Sequence, residues 1–358
     1  MAKTAKHTKP TPASFRASAG LQKHKLCIAT LGSHSALQIL KGAKDEGFDT
    51  VCVTTPDRTK LYSAYPFIDE IIEISSFKNF DKAEQKLIER NAVVVPHGSF
   101  VEYLGMEKNK KMKAKYFGNK HVLDWETDRD KQREWLTMAG LRLPKEIHKP
   151  ADISGPTIVK LHGAKGGKGY FFVKNKKEFA ERITELPGGE KITIQEYIIG
   201  VPLYIHYFYS PLDDKLEIMS MDIRYETNVD SIGRIPSKHQ WGFDVEPSYV
   251  VVGNKPVVLR ESMLAEAYAM GRRTIEASKK ICPPRGLFGP FCLETVITPK
   301  MEFYVIEISA RIVAGTNLFI SGSPYADLLY KEPMSTGRRV AREIKNAAKT
   351  GRLGDVLG

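Results

Sequence analysis

The sequence predicts an α/β domain built on a parallel sheet, followed by a larger α+β region whose strands run antiparallel. Three observations predict it. Residues 25–121 alternate short apolar, β-branched runs with helical stretches, which is the pattern of βαβ units. From about residue 157, strand-like runs follow one another with little helix between them. The length of 358 residues exceeds one typical domain, so more than one core is required.

In order, "KLCIATL" (25–31) is a buried strand, and "SHSALQILKGAKDEG" (33–47) is a helix ending at Gly47. "DTVCVTT" (49–55), "EIIEI" (70–74) and "AVVVP" (92–96) are further strands, with a helical stretch around 80–90. The segment "VLDWETDRDKQREWLTMAG" (122–140) has one amphipathic period, with Leu123, Trp135, Leu136 and Ala139 as inward candidates and Gly140 as its stop. "TIVKL" and "YFFVK" flank a glycine-rich loop as two strands. A helix over 176–185 precedes three strands, "KITIQEYI" (191–198), "LYIHYFYS" (203–210) and "KLEIMSMDIRYE" (215–226). A long helix near 259–280, a strand pair within 289–309 and a basic helix over 336–349 complete the chain. The resulting division is a tail (1–24), an α/β domain (25–121), a small lobe (122–200) and a large lobe (201–358). Met219 and Met221 read as packing, Trp125 and Trp135 as helix core, and the basic helix with Arg338, Arg339 and Arg342 as a solvated face.

The formal charge of +12 raises nucleic-acid binding as a reading. Half of that charge sits in residues 1–25, which hold six lysines or arginines and no acid. A second cluster, Lys108 to Lys115, reads as a surface loop and has only Tyr116 and Phe117 near it for base stacking. A solvated tail plus a site for small anions therefore accounts better for the charge. No run reaches the roughly 18 apolar residues of a membrane span, and residues 1–25 lack the apolar core of a secretory signal. The four cysteines are far apart in apolar runs, which fits free buried thiols in a reducing cytoplasm.

The loop "KLHGAKGGKGY" (160–170) points to phosphate. A Walker A loop requires Gly-Lys followed by Ser or Thr and a helix. Here the sixth position from Gly163 is Lys168, and a strand follows. A dinucleotide G-x-G-x-x-G is also absent. What remains is a glycine hairpin whose backbone N–H groups and lysines can close over polyphosphate. Six of the seven residues 163–169 are Gly or Lys, which weighs against an incidental surface hairpin.

The second chemical signal is "GPFCLETVITPKMEFYVIEISARIVAGTN" (289–317). With a turn centred between Lys300 and Met301, Glu294 stands directly opposite Glu307. Like charges at such a position are destabilising, unless a cation lies between them. Oxygen ligands shared with phosphates favour Mg²⁺. A shifted register would instead send both glutamates to solvent. From spacing alone the two are evenly matched; the phosphate loop tips the balance to a metal.

These pieces together resemble the ATP-grasp superfamily, in which ATP lies between two antiparallel lobes under a glycine-rich flap. The α/β domain is then a pre-ATP-grasp domain. By that resemblance Lys160 neutralises the α/β-phosphates, and Gly163, Lys165, Gly166, Gly167, Lys168 and Gly169 form the flap. Gln195, Glu196, Tyr197 and Ile198 are the adenine hinge. "E-I-S-A-R" (307–311) is similar to an E-x-N-x-R pattern, with Ser309 in place of Asn; Asn317 is a candidate for the missing amide. The motifs "PHGSFVEYLG", "DRDKQREWL", "GAKGGKGYF", "HYFYSP" and "EISARIVAGTN" narrow the resemblance to the archaeal formate-dependent AICAR ligase (FAICAR synthetase) family, over about residues 26–350.

The resemblance implies that formate is activated by ATP to formyl phosphate, which the amine of AICAR then attacks to give FAICAR, ADP and phosphate. It implies Mg²⁺ (or Mn²⁺) on Glu294 and Glu307, and Arg311 on the transferring phosphoryl or the oxyanion. Formyl phosphate hydrolyses readily, which accounts for a flap. Ser33 and Ser35 adjoin a helix N-terminus, a favourable place for phosphate, although each alone is better explained as an N-cap. The family places His34, Ser35, Ser99, Asn254 and Asn317 against AICAR and Glu226 against nucleotide. Glu226 and Asn254 also fit as ordinary turn residues, and His206 fits as a satisfied strand residue as well as a catalyst. The implied partners are formate, AICAR and further copies of the chain, as many as a hexamer, without a membrane and with little call for nucleic acid. The rival readings are another ATP-grasp carboxylate–amine ligase with a changed acid or amine, and a nucleic-acid-binding protein using the tail.

Overall fold

The computed structural model describes residues 25–161, 169–184, 191–240 and 248–358. The tail 1–24 and the flap positions Gly163, Lys165, Gly166, Gly167 and Lys168 lie outside the described residues.

The strand β1 (Cys27–Leu31), β2 (Asp49–Thr54), β3 (Glu70–Glu73), β4 (Ala92–Val94) and β5 (Lys115–Tyr116) form one parallel sheet in the order β3-β2-β1-β4-β5. The central strands are apolar along their whole length because helices cover both faces. The strand order reverses between β1 and β4, so a crevice opens beyond their carboxyl ends. The turns that carry His34 and Ser99 leave the sheet at that place. The helix Ala36–Asp45 ends as expected, with Gly47 in the left-handed region at φ 84°.

A three-stranded antiparallel sheet follows, in the order β7-β6-β8, from β6 (Thr157–Leu161), β7 (Tyr170–Val173) and β8 (Ile192–Glu196). Lys160 stands opposite Tyr170, so the glycine loop joins two antiparallel strands. The large sheet has the order β11-β10-β9-β12-β13, from β9 (Val201–Ser210), β10 (Lys215–Glu226), β11 (Val251–Pro256), β12 (Gly289–Ile297) and β13 (Phe303–Ser309). One face of this sheet packs on the helix Leu264–Ile281 and on Trp135 and Leu136. Its other face shares a core with the parallel sheet, where Phe208 and Met219 meet Ile28 and Val93.

Three expectations require correction. The single helix expected over 122–140 is two, Val122–Thr127 and Arg129–Met138. Asp128 breaks the run because its carboxylate accepts from the N–H groups of Asp130 (3.0 Å) and Lys131 (3.1 Å) as the N-cap of the second helix. The Lys108–Lys115 cluster is not a loop but the helix Met106–Lys111 and the edge strand β5. Lys110 pairs with Asp124 at 2.7 Å and Lys108 with Asp81 at 3.3 Å, so much of its charge is neutralised locally.

The closing helix Thr336–Lys349 has the expected bounds but not a solvated basic face. Arg339 is buried and pairs with Glu217 (3.0 Å) and Glu343 (2.7 Å). Arg338, Arg342 and Lys345 all converge on Glu46, a buried residue at the end of the helix Ala36–Asp45. Burial alone would raise the Glu46 carboxyl, but hydrogen bonds from these three cations overcome it and hold it near about 2, against an ordinary 4.5. The lowered value means that this stabilisation is complete above about 4.5 and fades as pH falls toward about 2. Glu46→Ala is expected to cost about 1–2 kcal/mol, because three part-buried cations lose their shared partner while Arg338 and Arg342 keep Glu332. The measurement is a lower urea midpoint at neutral pH, and an unchanged midpoint would show that the cluster contributes nothing.

Candidate active site

Residues from both large sheets and the small lobe meet in one cleft. Glu294 stands directly opposite Glu307 across β12–β13, as the spacing predicts. The reason is more specific than the turn. Near the turn, Ile297 pairs with Phe303 and Thr295 with Val305; a bulge at Ile306 then shifts the register by one residue. Without the extra residue Glu294 would face Ile306, and Glu307 would lie on the other face of the sheet.

The pair is held in asymmetric surroundings. Glu294 is 8% exposed and accepts from Arg224 Nη2 at 2.5 Å. The Arg224 guanidinium lies 4.1 Å from the ring centre of Tyr204, which stands opposite Glu294 on β9. Glu307 opens onto the cleft yet is walled by protein, and burial together with the Glu294 charge pushes its carboxyl up to about 7. From the small lobe, Lys160 feels both carboxylates; burial first, and the Arg129 charge next, still bring its amine down to about 8. Two opposed carboxylates with an open side toward the cleft form a donor set that suits Mg²⁺ sharing its remaining positions with phosphate oxygens.

On the far side of Lys160, the hinge closes an aromatic box. The Glu196 carboxylate accepts from Lys145 N–H at 3.1 Å, and Tyr197 N–H donates to Pro156 O at 2.9 Å. Tyr197 and Tyr249 share a hydroxyl contact of 3.2 Å, and Phe172 meets the Tyr197 ring at 4.9 Å. Tyr170 meets Tyr249 at 5.2 Å. Gln195 is buried on β8, with Ile198 just beyond the strand. Glu226, at the end of β10 beside this box, is pushed up to about 7 by burial, with Asp230 and Glu294 adding to the effect. Gly169 closes the described end of the loop at φ 73°, accepting from Leu161 N–H at 2.8 Å.

The crevice between β1 and β4 supplies a second pocket. His34 adopts φ 51°, an unusual left-handed turn for a non-glycine residue. Its ring stacks on His97 at 5.4 Å, and its Nδ1 lies 2.7 Å from Ser35 Oγ. Ser35 occupies the N-cap position, but its hydroxyl caps no backbone N–H, so the simple capping explanation fails. Burial, then the neighbouring His97, Arg311 and Arg224, bring His34 down to about 2, so the ring is neutral. His97 is fully buried and held near about 4, also chiefly by burial. Its Nε2–H donates to Leu31 O at 2.9 Å while its Nδ1 accepts from Ser99 N–H at 3.3 Å, which fixes the tautomer.

Beside these, Ser33 Oγ approaches Ser99 Oγ at 3.3 Å and Tyr103 OH at 3.4 Å. Arg58 donates to Gly32 O at 3.2 Å and to Tyr103 OH at 3.5 Å, and lies over the Phe77 ring at 5.3 Å. Hydrogen bonding from Ser33 and then Arg58 lowers the Tyr103 hydroxyl. Three hydroxyls and a guanidinium at the end of a parallel sheet make a fitting receptor for a phosphate dianion. Sequence reasoning missed Arg58, which no motif marks, and Tyr103, which lies within the run "PHGSFVEYLG" without being singled out.

The two pockets touch at Gly98. A β-carbon there would collide with His34 Nε2 and lie 3.1 Å from Arg311 Nη1. Arg311 is held at 2.9 Å by Glu126, whose other oxygen accepts from Ala310 N–H at 2.8 Å. Glu126 is another residue that the sequence did not mark. Asn254, on β11, lies across from Arg224. The Asn317 carboxamide is engaged within the protein: its oxygen accepts from Gln38 at 2.8 Å, and its nitrogen donates to His34 O at 3.1 Å. It thus supports the His34 turn. Ser309 is buried opposite Cys292. Among the described residues no group of three or more His, Cys, Asp or Glu side chains is placed to hold a metal alone, so a metal here depends on the Glu294–Glu307 pair and on the ligand.

Two family models match the chain: "Protein of unknown function (DUF1246)" over residues 28–147 and "Domain of unknown function (DUF1297)" over residues 172–358. Among curated proteins, the 5-formaminoimidazole-4-carboxamide-1-(beta)-D-ribofuranosyl 5'-monophosphate synthetase of Pyrococcus horikoshii is 54% identical over 337 residues, covering 92% of this chain and 99% of its own. The protein of the same name from Methanococcoides burtonii is 47% identical over 343 residues, covering 93% and 95%. Among solved structures, an IMP biosynthesis protein PurP from Thermococcus kodakaraensis superposes with a TM-score of 0.75 at 33% identity, covering 92% of this chain and all of that one. An ADP complex of N5-carboxyaminoimidazole ribonucleotide synthetase gives a TM-score of 0.65 at 15% identity, covering 90% and 77%, and shares the ATP-grasp fold.

Replacing Glu294 and Glu307 together by Gln is expected to abolish the Mg²⁺ dependence of ADP binding, read by calorimetry with and without the metal. The circular dichroism spectrum should not change. Undiminished Mg²⁺ dependence in the double variant would remove the pair from a metal role.

Proposed function

The chain belongs to the 5-formaminoimidazole-4-carboxamide-1-(beta)-D-ribofuranosyl 5'-monophosphate synthetase family, and from that premise we propose that it joins formate to AICAR with ATP, giving FAICAR, ADP and phosphate. It is a carbon–nitrogen ligase of purine (IMP) biosynthesis with an ATP-grasp fold. The observation that carries the substrate reading is the junction at Gly98, where His34 of the β1–β4 crevice and Arg311 of the cleft come together.

In this reading the adenine lies in the box of Tyr170, Phe172, Tyr197 and Tyr249, with the hinge Gln195–Ile198 along its edge and Glu226 toward the ribose. Lys160 faces the phosphates, and the glycines and lysines of 163–169 are assigned to them by their composition. Glu294 and Glu307 would hold Mg²⁺, which when bound offsets the charge of the phosphate oxygens. Formate oxygen attacks the γ-phosphorus, the bond to the β-phosphate oxygen breaks, and ADP leaves. The AICAR amine then attacks the carbonyl carbon of formyl phosphate, the carbon–oxygen bond to phosphate breaks, and phosphate departs with the proton lost from the amine. Arg311, fixed by Glu126 next to Gly98, is placed to balance negative charge on the transferring phosphoryl and then on the carbonyl oxygen. Arg58, Tyr103, Ser33 and Ser99 receive the 5'-phosphate of AICAR, and His34, Ser35 and Asn254 face its imidazole.

A homo-oligomer is part of the same proposal. Leu318, Ile320, Leu328 and Leu329 are each more than 40% exposed within twelve residues, which favours cover by another copy.

ADP release with formate and AICAR supplied separately and together tests the reaction. Strong turnover only with both is expected; equal turnover with another acid, or without AICAR, would move the reading to a ligase of the same fold with other substrates. Arg58→Met is expected to raise the KM for AICAR about tenfold or more by loss of a charge-assisted contact. The KM for ATP and formate should hold. An unchanged AICAR KM would take Arg58 out of the phosphate pocket.

A further inference from the structure

We propose that Asp222, held by His206, is a positioning residue: it fixes the Asn254 carboxamide with its oxygen toward the cleft, where that oxygen accepts a hydrogen bond from the 5-amine or the carboxamide NH₂ of AICAR. The inference rests on the reading of Asn254 as an AICAR contact.

Asp222 on β10 and His206 on β9 are both almost fully buried, at 1% and 2% exposure. His206 Nε2 meets Asp222 Oδ1 at 2.5 Å, and Asn254 Nδ2 donates to Asp222 Oδ2 at 2.6 Å. An ionised carboxylate only accepts, so the amide must present its nitrogen to Asp222, and its orientation is decided. The Asn254 oxygen is then turned the other way. Among the described residues it has no protein partner, although Asn254 is part-exposed on a site-facing strand. Among the described residues the buried His206 Nδ1 has no protein partner.

Two further contacts tie this group to the substrate pocket. Gly315 lies so close to the Asp222 carboxylate that any β-carbon there would overlap it. Two residues on, Asn317 donates to the backbone oxygen of His34 at 3.1 Å. One short segment therefore sets the distance between Asn254 and His34. An interstrand hydrogen bond with a purely structural role would need no third partner presenting an open acceptor to the cleft.

AICAR carries two donor groups on its imidazole, the 5-amine and the carboxamide NH₂. A fixed acceptor reads such a donor, whereas a freely flipping amide offers a donor half of the time and leaves two donors opposed. The assignment makes Asp222 act on AICAR recognition through Asn254 and on neither formate nor ATP.

The test compares steady-state constants for Asn254→Ala, Asp222→Asn and their double variant, varying each substrate in turn. Asp222→Asn should raise the KM for AICAR about tenfold, with kcat and the KM for ATP and formate within about twofold. The double variant should be no worse than Asn254→Ala alone. If Asp222→Asn fails to fold, His206→Leu and His206→Gln replace it. The leucine variant should raise the AICAR KM, and the glutamine variant, which keeps a donor for Asp222, should restore most of the affinity. Asn254→Ala raising the AICAR KM while the Asp222 and His206 variants do not would overturn this inference alone. An unchanged AICAR KM in Asn254→Ala would overturn both it and the assignment of Asn254. Equal losses toward all three substrates would reduce Asp222 to a structural role.

Discussion

Two carboxylates that face each other across one hairpin set the terms for the rest of this molecule. A bulge at Ile306 puts Glu307 opposite Glu294, and the like charges then demand compensation. Arg224 satisfies Glu294 directly, and its raised pKa reflects the Glu294 charge outweighing burial. Among the described residues no comparable partner reaches Glu307, whose carboxyl rises to about 7. The resulting pair is a donor set that suits a cation, and its open side faces the cleft. Lys160 enters from the small lobe near enough to feel both charges without pairing with either. The parts of the cleft are thus positioned by one unfavourable contact that a bound ligand relieves.

The same logic explains why the end of the chain returns to its beginning. His34 sits in a strained left-handed turn, which needs support from outside its own helix. Gln38, one turn along the helix Ala36–Asp45, donates to Thr316 at 2.5 Å and to Asn317 at 2.8 Å, and its oxygen accepts from Gly337 N–H at 3.2 Å. Gly42 and Gly337 let this helix and the closing helix touch backbone to backbone, because a β-carbon at either position would overlap the other helix. The Glu46 cluster locks the far end of the same contact. A helix far from the chemistry in sequence thereby braces the turn that carries His34.

The buried strands were legible because they advertise themselves as apolar, β-branched runs, whereas the edge strands β5 and β11 were not; the opposed glutamates were legible because pairing arithmetic needs only a turn position. The bulge was not legible: Ile306 looks like any other apolar strand residue, and the predicted register was correct on the site side of it alone. The arginines of the closing helix misled because a basic face reads as solvated until its partners, Glu46 and Glu217, are brought from about 120 to 300 residues away. Arg58, Tyr103, Glu126 and Asp222 belong to that class. Each takes its role from a residue on another element, and no local spacing encodes the meeting. Arg224 and Asp222 carried a faint signal, since they share a face of β10 with Glu226 by simple alternation.

Charge is distributed unevenly along the cleft, and the proposed chemistry accounts for the difference. The phosphoryl end is crowded with formal charges: Lys160, Arg224 and Arg311 against Glu294, Glu307 and Glu126. At the imidazole end, His34 is held near about 2 and His97 near about 4, so both rings stay neutral throughout the physiological range. An amine that attacks a carbonyl carbon gains positive charge as the bond forms. An imidazolium beside it would oppose that step, whereas a neutral, tautomer-fixed ring can orient the substrate without electrostatic cost. Burial, then His97 and the nearby Arg311 and Arg224, keep His34 neutral, so in the proposed reading the cations near the phosphoryl end also keep the histidine suited to the amine. Moving Arg311 or Arg224 away would then raise the basicity of His34, which couples the electrostatics of the two half-reactions through residues that need not touch both substrates.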